Sequence, residues 1–276
     1  MNDFSKSLIA LGKRQFESEI LPQIKDKGLA DKILVYMCGS VSLGLADENS
    51  DIDFDVLVSE KLTDEEYAIC EDILGKDYFY ESKRVSYGFD LKKSLGRYLR
   101  GERRNYWEDF NPYNLHDINH YIPVLDTKFR LTELRKELGF YPKEIFTSVV
   151  RGLWITMNDG GEYNSFQCFQ RGDECGADIY FGRGVEALLR MVFVLNGQYY
   201  PPTKWLNASM INIDNKFGVE NLLCVGNIQF EEKRKLFMNS YNLVADFLKE
   251  NKILEKECVD NFGLNFSKEY FVFETF

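Results

Sequence analysis

The spacing of apolar residues divides the chain near Phe140. Before it, helical spacing alternates with short strand-like runs; from Tyr141 onward the strand signal vanishes. Residues 8–29, LIALGKRQFESEILPQIKDKGL, carry apolar side chains at helical intervals, and KILVYMC (32–38) suits a buried strand. In DIDFDVLV (51–58) apolar and acidic residues alternate, with Ile52, Phe54, Val56 and Val58 on one face and the acids on the other. Thr63 lies three residues before Glu66, a capping box that opens a helix over TDEEYAICEDILG. DYFYESKRVSYGFDL (77–91) is aromatic and β-branched, which predicts strand. KKSLGRYLRGERRNYW (92–107) predicts a helix despite its glycines, HYIPVLD (120–126) a short strand and FRLTELRKEL (129–138) a helix. NPYNLHDINHYIP (111–123) has loop character. Later, KEIFTSVVRGLWITM, FGRGVEALLRMVFVLNG, PTKWLNASMINI and EKRKLFMNSYNLVADFLKEN all predict helices. The expected class is therefore α+β, with a mixed N-terminal domain over 1–140 and a helical C-terminal domain over 141–276.

Composition supports a folded chain: 276 residues, 45% hydrophobic, with 22 Phe, 16 Tyr and only 6 Pro. The six cysteines form no CxxC pair, so neither a zinc site nor a disulfide framework is implied, and reduced thiols are expected. The first residues, MNDFSKSLIALGKRQF, are polar and amphipathic, and no segment approaches a membrane span. The expected location is cytoplasmic. Net charge is −10, which disfavours extended contact with a nucleic-acid backbone and favours cationic partners.

Charge density peaks in GSVSLGLADENSDIDFDVLV, residues 39–58. Asp51, Asp53 and Asp55 stand at alternate positions of a strand, so their carboxylates share a face and require a positive counterpart. Two such carboxylates can hold one or two hard cations, and oxygen ligands of this kind suit Mg²⁺. Either 51/53 or 53/55 can form the Asp-x-Asp pair. Gly39 and Ser40 directly follow the strand at 32–38. Glycine lets a backbone approach a phosphate closely, and a serine hydroxyl can donate to it. A phosphate-binding turn followed by paired aspartates on a strand serves nucleotidyl transfer. The duller alternative, a solvated edge strand, fits poorly because Asp is a weak strand former.

Gly39-Ser40 followed by Ser50-Asp51-Ile52-Asp53 resembles the signature of the DNA polymerase β superfamily of nucleotidyltransferases. Within it, the likeness is to bacterial adenylyltransferases of aminoglycoside and lincosamide antibiotics. The segments YPKEIF (from Tyr141) and Arg171–Trp205 also resemble an uncharacterised bacterial nucleotidyltransferase-like family. The resemblance implies a small mixed sheet with helices followed by a helical bundle. It implies two Mg²⁺ ions, ATP as the nucleotide substrate and a small hydroxyl-bearing acceptor as partner. It selects Asp51 and Asp53 over Asp55, because Ser50-Asp51 matches the family dipeptide, and it adds a third carboxylate on a neighbouring strand. Asp90, opposite in face to Tyr87 and Phe89, is the candidate, with Glu81 as alternative; Asp90 is also the candidate to accept the acceptor's proton. Gly39, Ser40 and Ser50, with Arg190 and Lys204 from the second domain, are then expected at the nucleotide.

Other charged residues have competing readings. Arg190 can simply pair with Glu186 one helical turn away. Lys204 follows two prolines and so opens a helix. Asp173 and Glu174, at the start of a helix, are either partners of its dipole or, with Glu186, contacts for a cationic acceptor. Lys93, Arg97, Arg100 and Arg104 form one basic helical stripe, read either as a solvated face or as a phosphate or nucleic-acid contact. His116 and His120 have helical i,i+4 spacing but lie in the loop-like segment, so packing or surface roles are expected.

Overall fold

Two strands picked out by pattern form the middle of a sheet. β1 (Ile33–Met37) and β2 (Ile52–Val58) run antiparallel, with Val35 opposite Val56 and Tyr36 opposite Asp55. The computed structural model describes residues 1–89, 94–102, 112–223 and 228–267. It divides into two units, Met1–Gly139 and Phe140–Phe276.

In the first unit, α1 (Asp3–Gln15) is capped by Asn2, whose side chain accepts from the Ser5 N–H at 2.8 Å. It continues through a π-helical turn, Phe16–Ile20, into α2 (Leu21–Asp26). Gly12 lets α1 lie directly on the sheet: a Cβ there would stand 2.7 Å from Met37 Cε and 3.0 Å from Ile52 Cγ2. A short helix, α3 (Gly39–Leu43), follows β1. α4 (Asp64–Leu74) opens with the expected capping box between Thr63 and Glu66.

The next segment corrects the sequence reading. Within the stretch 77–91 expected as strand, the described residues 77–89 form not one strand but a hairpin, β3 (Tyr78–Tyr80) and β4 (Lys83–Phe89). Glu81 and Ser82 make the turn with φ of 46° and 67°, the double positive φ of a type I′ hairpin. Of the helix expected over 92–107, only residues 94–102 are described, and there it is interrupted. α5 (Ser94–Leu99) ends in a turn at Gly101, where φ is +69°. The loop expected at 111–123 contains a helix instead, α6 (Pro112–His120), started by a proline whose fixed φ suits a first helical position. β5 (Ile122–Leu125) and α7 (Arg130–Glu137) complete the unit.

The sheet order is β3-β4-β2-β1-β5, with β2 and β4 parallel and the other pairs antiparallel. Ile52, Phe54, Val56 and Val58 are all buried, as the alternation requires. They pack with Phe16, Val85 and Tyr87 into one core. Each such side chain contributes about 1.5–3 kcal/mol by leaving water. Burying that face fixes the register and leaves the acids on the opposite one.

Among the described residues the second unit has no strand. α8 (Lys143–Thr156) runs through an eight-residue π-helical segment, Met157–Asn164, into α9 (Ser165–Gln170). α10 (Glu174–Leu195) is the longest helix among the described residues and packs against that segment through glycine. A Cβ on Gly184 would lie 2.2 Å from the Gly161 nitrogen. α11 (Thr203–Ser209), α12 (Val219–Leu223), α13 (Phe230–Glu250), α14 (Lys256–Asp260) and a 3₁₀ segment, Phe262–Ser267, follow. Trp154 stacks on Tyr241 at 4.6 Å in the core of this unit. No described helix is long and apolar enough to cross a membrane.

Candidate functional site

Asp51 ends the loop before β2, and Asp53 and Asp55 lie on the strand's half-exposed face. Parallel pairing sets Asp53 beside Ser86 and Asp55 beside Gly88. The Ser86 hydroxyl donates to Asp53 Oδ1 at 2.7 Å. Arg84, two residues earlier on the same face of β4, stands 3.6 Å from Asp51 Oδ2 and 2.9 Å from Asp77 Oδ2. Its hydrogen bond to Asp77, and then the charges of Asp77, Asp51 and Asp53, raise the guanidinium's pKa further. Arg84 thus answers part of the charge that the three aspartates concentrate. Asp55 has a different partner: the Tyr36 hydroxyl donates to its Oδ2 at 3.3 Å.

The turn before α3 is fastened to the same strand. The Cys38 N–H donates to the Asp53 carbonyl at 2.9 Å. Gly39 follows with φ of +63°, and a Cβ there would stand 3.2 Å from Asp53 Oδ2. Backbone, not a side chain, therefore borders the second carboxylate oxygen. The Ser40 hydroxyl has no hydrogen bond among the described residues. Ser50 engages its hydroxyl locally, donating to Asp47 Oδ1 and accepting from the Asp47 N–H, both at 3.0 Å. Of the expected acids, Asp90 lies outside the described residues. Glu81 sits in the hairpin turn, 3.5 Å from Arg14.

The donor set at Asp51 and Asp53 is all oxygen, with one carboxylate oxygen tied to Ser86 and the other left beside bare backbone. That fits a hard divalent cation such as Mg²⁺, which takes one or two carboxylates and completes its shell with water and phosphate. Among the described residues no group of three or more His, Cys, Asp or Glu side chains is placed to hold a metal.

Residues 17–108 match the family described as nucleotidyltransferase domain. The N-terminal unit is a nucleotidyltransferase domain. Residues 107–206 match a domain of unknown function, DUF4037. No curated protein matches the chain. A crystal structure of a nucleotidyltransferase-like protein from Exiguobacterium sibiricum 255-15 is similar over 92% of this chain and 81% of its own, at 15% identity and a TM-score of 0.45.

Ser86 and Arg84 join the nucleotidyltransferase domain's candidate site although the sequence did not reveal them. Their signal was alternation on β4, Arg84-x-Ser86, which becomes readable once the hairpin turn is recognised. Ser86→Ala is expected to release Asp53 and raise the Mg²⁺ concentration needed for half-maximal turnover by about tenfold or more. A Mg²⁺ titration of turnover checks it; an unchanged titration would remove Ser86 from the site.

The remaining candidates belong to the helical unit. Arg190 is buried on α10, with its Nη2 2.6 Å from Glu186 Oε1 and 3.3 Å from Thr203 Oγ1, and its guanidinium over the Tyr200 ring at 5.1 Å. The pairing with Glu186 is the one that helical spacing offers. Lys204 is exposed in the first turn of α11, 5.2 Å from the Trp205 ring centroid. Asp173 caps α10, accepting from the Gly176 N–H at 2.9 Å, and Glu174 follows it, exposed. Glu186 lies three turns further along, about 18 Å at 1.5 Å per residue, so these three acids do not converge.

The histidines are settled by α6. His116 is buried, its ring stacks on His120 at 4.2 Å, and its Nδ1 lies 3.2 Å from Asp117 Oδ1. Partial loss of water, and then His116, push the His120 pKa down; His116 packs in the core, and His120, at the exposed end of α6, stacks on it.

Proposed function

We propose that the chain is a Mg²⁺-dependent nucleotidyltransferase that transfers AMP from ATP to a hydroxyl of a small acceptor. The observation that carries this reading is the Asp51–Asp53 pair, set against the Gly39 backbone in a nucleotidyltransferase domain. Asp51 and Asp53 would hold one or two Mg²⁺ ions, with Asp90 as the third carboxylate. Bound there, Mg²⁺ supplies positive charge against the triphosphate and orients it. Ser86 fixes Asp53, so the carboxylate keeps one orientation. Gly39 lets backbone approach a phosphate, and Ser40 offers a hydroxyl donor. The acceptor oxygen bonds to the α-phosphorus, the bond to the pyrophosphate oxygen breaks, and the hydroxyl proton passes to a carboxylate, Asp90 being the candidate. Lys204 and Arg190 are proposed contacts of the phosphates.

The acceptor is proposed to be small and cationic, of the aminoglycoside or lincosamide kind, in keeping with the net charge of −10. Asp173 and Glu174 are its proposed contacts; Glu186, about 18 Å further along α10 and paired with Arg190, is not among them. The basic stripe gives little support to an RNA acceptor. Arg97 and Arg100 both reach Glu102, at 3.6 and 2.6 Å, and Arg100 also donates to the Val58 carbonyl. Lys93 and Arg104 lie outside the described residues.

Incubation with ATP labelled at the α-phosphate and a panel of aminoglycosides, lincosamides, tRNA and protein tests the reading. Label is expected in a small molecule; label in tRNA or protein instead would replace the acceptor class. Lys204→Ala is expected to weaken ATP binding by roughly ten- to a hundredfold, the loss of one charge-assisted contact. Equilibrium titration measures it, and an unchanged affinity would move the phosphate contact elsewhere.

A further inference from the structure

β4 supplies three side chains to the aspartates of β2 and the loop before them, and each makes a different kind of contact. Ser86 donates to Asp53 Oδ1 at 2.7 Å, short enough to orient that carboxylate. Lys83 donates to the Glu48 and Ser50 carbonyls at 2.5 and 3.1 Å, which fastens the loop that ends at Asp51. Arg84 does neither. Its Nη1 stands 3.6 Å from Asp51 Oδ2, an ion pair but too long for a hydrogen bond. Its Nε and Nη2 instead donate to Asp77 Oδ2, at 3.0 and 2.9 Å.

The guanidinium is thus anchored on Asp77 and leans toward Asp51. It gives Asp51 positive charge without fixing its orientation, and the chain just before Asp51 is held by Lys83 whether or not Arg84 is present. Charge without orientation acts against a metal ion. A cation entering between Asp51 and Asp53 is drawn by two negative charges and repelled by a guanidinium a few ångströms from one of them. Asp77, which immediately precedes β3, limits that repulsion because it engages two of the three guanidinium nitrogens.

We infer that Arg84 is a built-in counter-ion of the site, competing with a divalent cation for Asp51, and that Asp77 sets the strength of the competition by drawing the guanidinium away. The inference rests on the Mg²⁺-dependent reading and deepens it. Without the cation, Arg84 offsets the repulsion between Asp51 and Asp53. With the cation bound, the guanidinium keeps Asp77 as its partner, so its charge is not left uncompensated. The site then fills at a higher cation concentration than its two carboxylates alone would require. Arg84 and Asp77 regulate occupancy; they are not ligands.

The test is Mn²⁺ binding to the full chain without nucleotide, followed by loss of the free-ion EPR signal and repeated with Mg²⁺ as competitor; Mn²⁺ suits the same oxygen donors. Wild type is compared with Arg84→Ala, Arg84→Lys, Asp77→Asn, the double variant Arg84→Ala/Asp77→Asn, and Asp53→Asn. Arg84→Ala is expected to tighten binding by about three- to tenfold, while Arg84→Lys, which keeps the charge, stays within about twofold of wild type. The Arg84→Ala gain is expected to shrink as salt rises, because the Arg84–Asp51 pair is about half exposed. Asp77→Asn is expected to weaken binding by about threefold, and by less than about twofold once Arg84 is alanine. Weaker binding in both Arg84 variants would show that the guanidinium fork orients Asp51 and overturn the inference. Equal binding in wild type and Arg84→Ala would remove Arg84 from the site, and an Asp77→Asn loss that persists in full without Arg84 would remove Asp77. In each of these cases the Mg²⁺ reading stands if Asp53→Asn abolishes binding. If wild type binds no Mn²⁺, or Asp53→Asn binds it equally well, the metal reading fails and takes the inference with it.

Discussion

Asp53→Asn is expected to leave the fold intact and to lower nucleotidyl transfer by at least about a thousandfold, equivalent to about 4 kcal/mol of barrier at 1.36 kcal/mol per tenfold. The fold survives because the change is nearly isosteric. Cys38 binds the backbone carbonyl of residue 53, not its side chain, and the Ser86 hydroxyl can still donate to an amide oxygen. Function does not survive, because an amide supplies no negative charge to a hard cation. Turnover with α-labelled ATP measures the loss, and thermal unfolding confirms the retained fold. Turnover within tenfold of wild type would end the metal-ligand assignment.

Gly184→Ala is expected to destabilise the helical unit by about 3 kcal/mol or more, at or above the top of the usual range for overpacking. The sign is informative. An exposed helical glycine replaced by alanine gains about 0.5–1 kcal/mol from helix propensity. Here the new methyl would stand 2.2 Å from the Gly161 nitrogen and 2.3 Å from its Cα, and backbone cannot swing aside. Gly161 is itself crowded, because a Cβ on it would stand 2.2 Å from the Phe237 ring. α10 and the π-helical segment must therefore part, loosening contacts around both. Denaturant unfolding monitored by helical signal checks it; an unchanged or raised midpoint would show that the two backbones are not in contact.

The readable parts of this chain are those that local chemistry determines. Alternation at 51–58 placed one face of β2 in the core, because a one-residue slip would bury the aspartates. Thr63 and Glu66 announced a helix start because both bonds of a capping box lie within one turn. Helical spacing was enough for α8, α10 and α13. Missed features depend on what the sequence brings together at a distance or on residues used against type. The β3–β4 turn is made by Glu81 and Ser82 rather than by the Asn-Gly or Asp-Gly that such turns favour. The segment 111–123, read as loop, holds a helix that starts at Pro112. Gly101, tolerated in the helix expected from 92 to 107, adopts positive φ in the turn that follows α5.

The candidate site divides in the same way. Asp51, Asp53 and Gly39 were legible because strand and turn chemistry are local. Ser86 and Arg84 were not, since their part depends on β4 lying parallel to β2 in one particular register. Arg190 had two readings from sequence, and its burial against Glu186 and Tyr200 shows the ion pair that one of them expected.

The fate of ATP's phosphorus atoms tests the central claim most directly. Two reactions are run with Mg²⁺ and the acceptor panel, one with label at the α-phosphate and one at the γ-phosphate. Nucleotidyl transfer predicts that the α-label enters an acceptor while the γ-label leaves as pyrophosphate, both abolished by EDTA and by Asp53→Asn. Passage of the γ-label into the acceptor, or transfer of the α-label that survives EDTA, would contradict it.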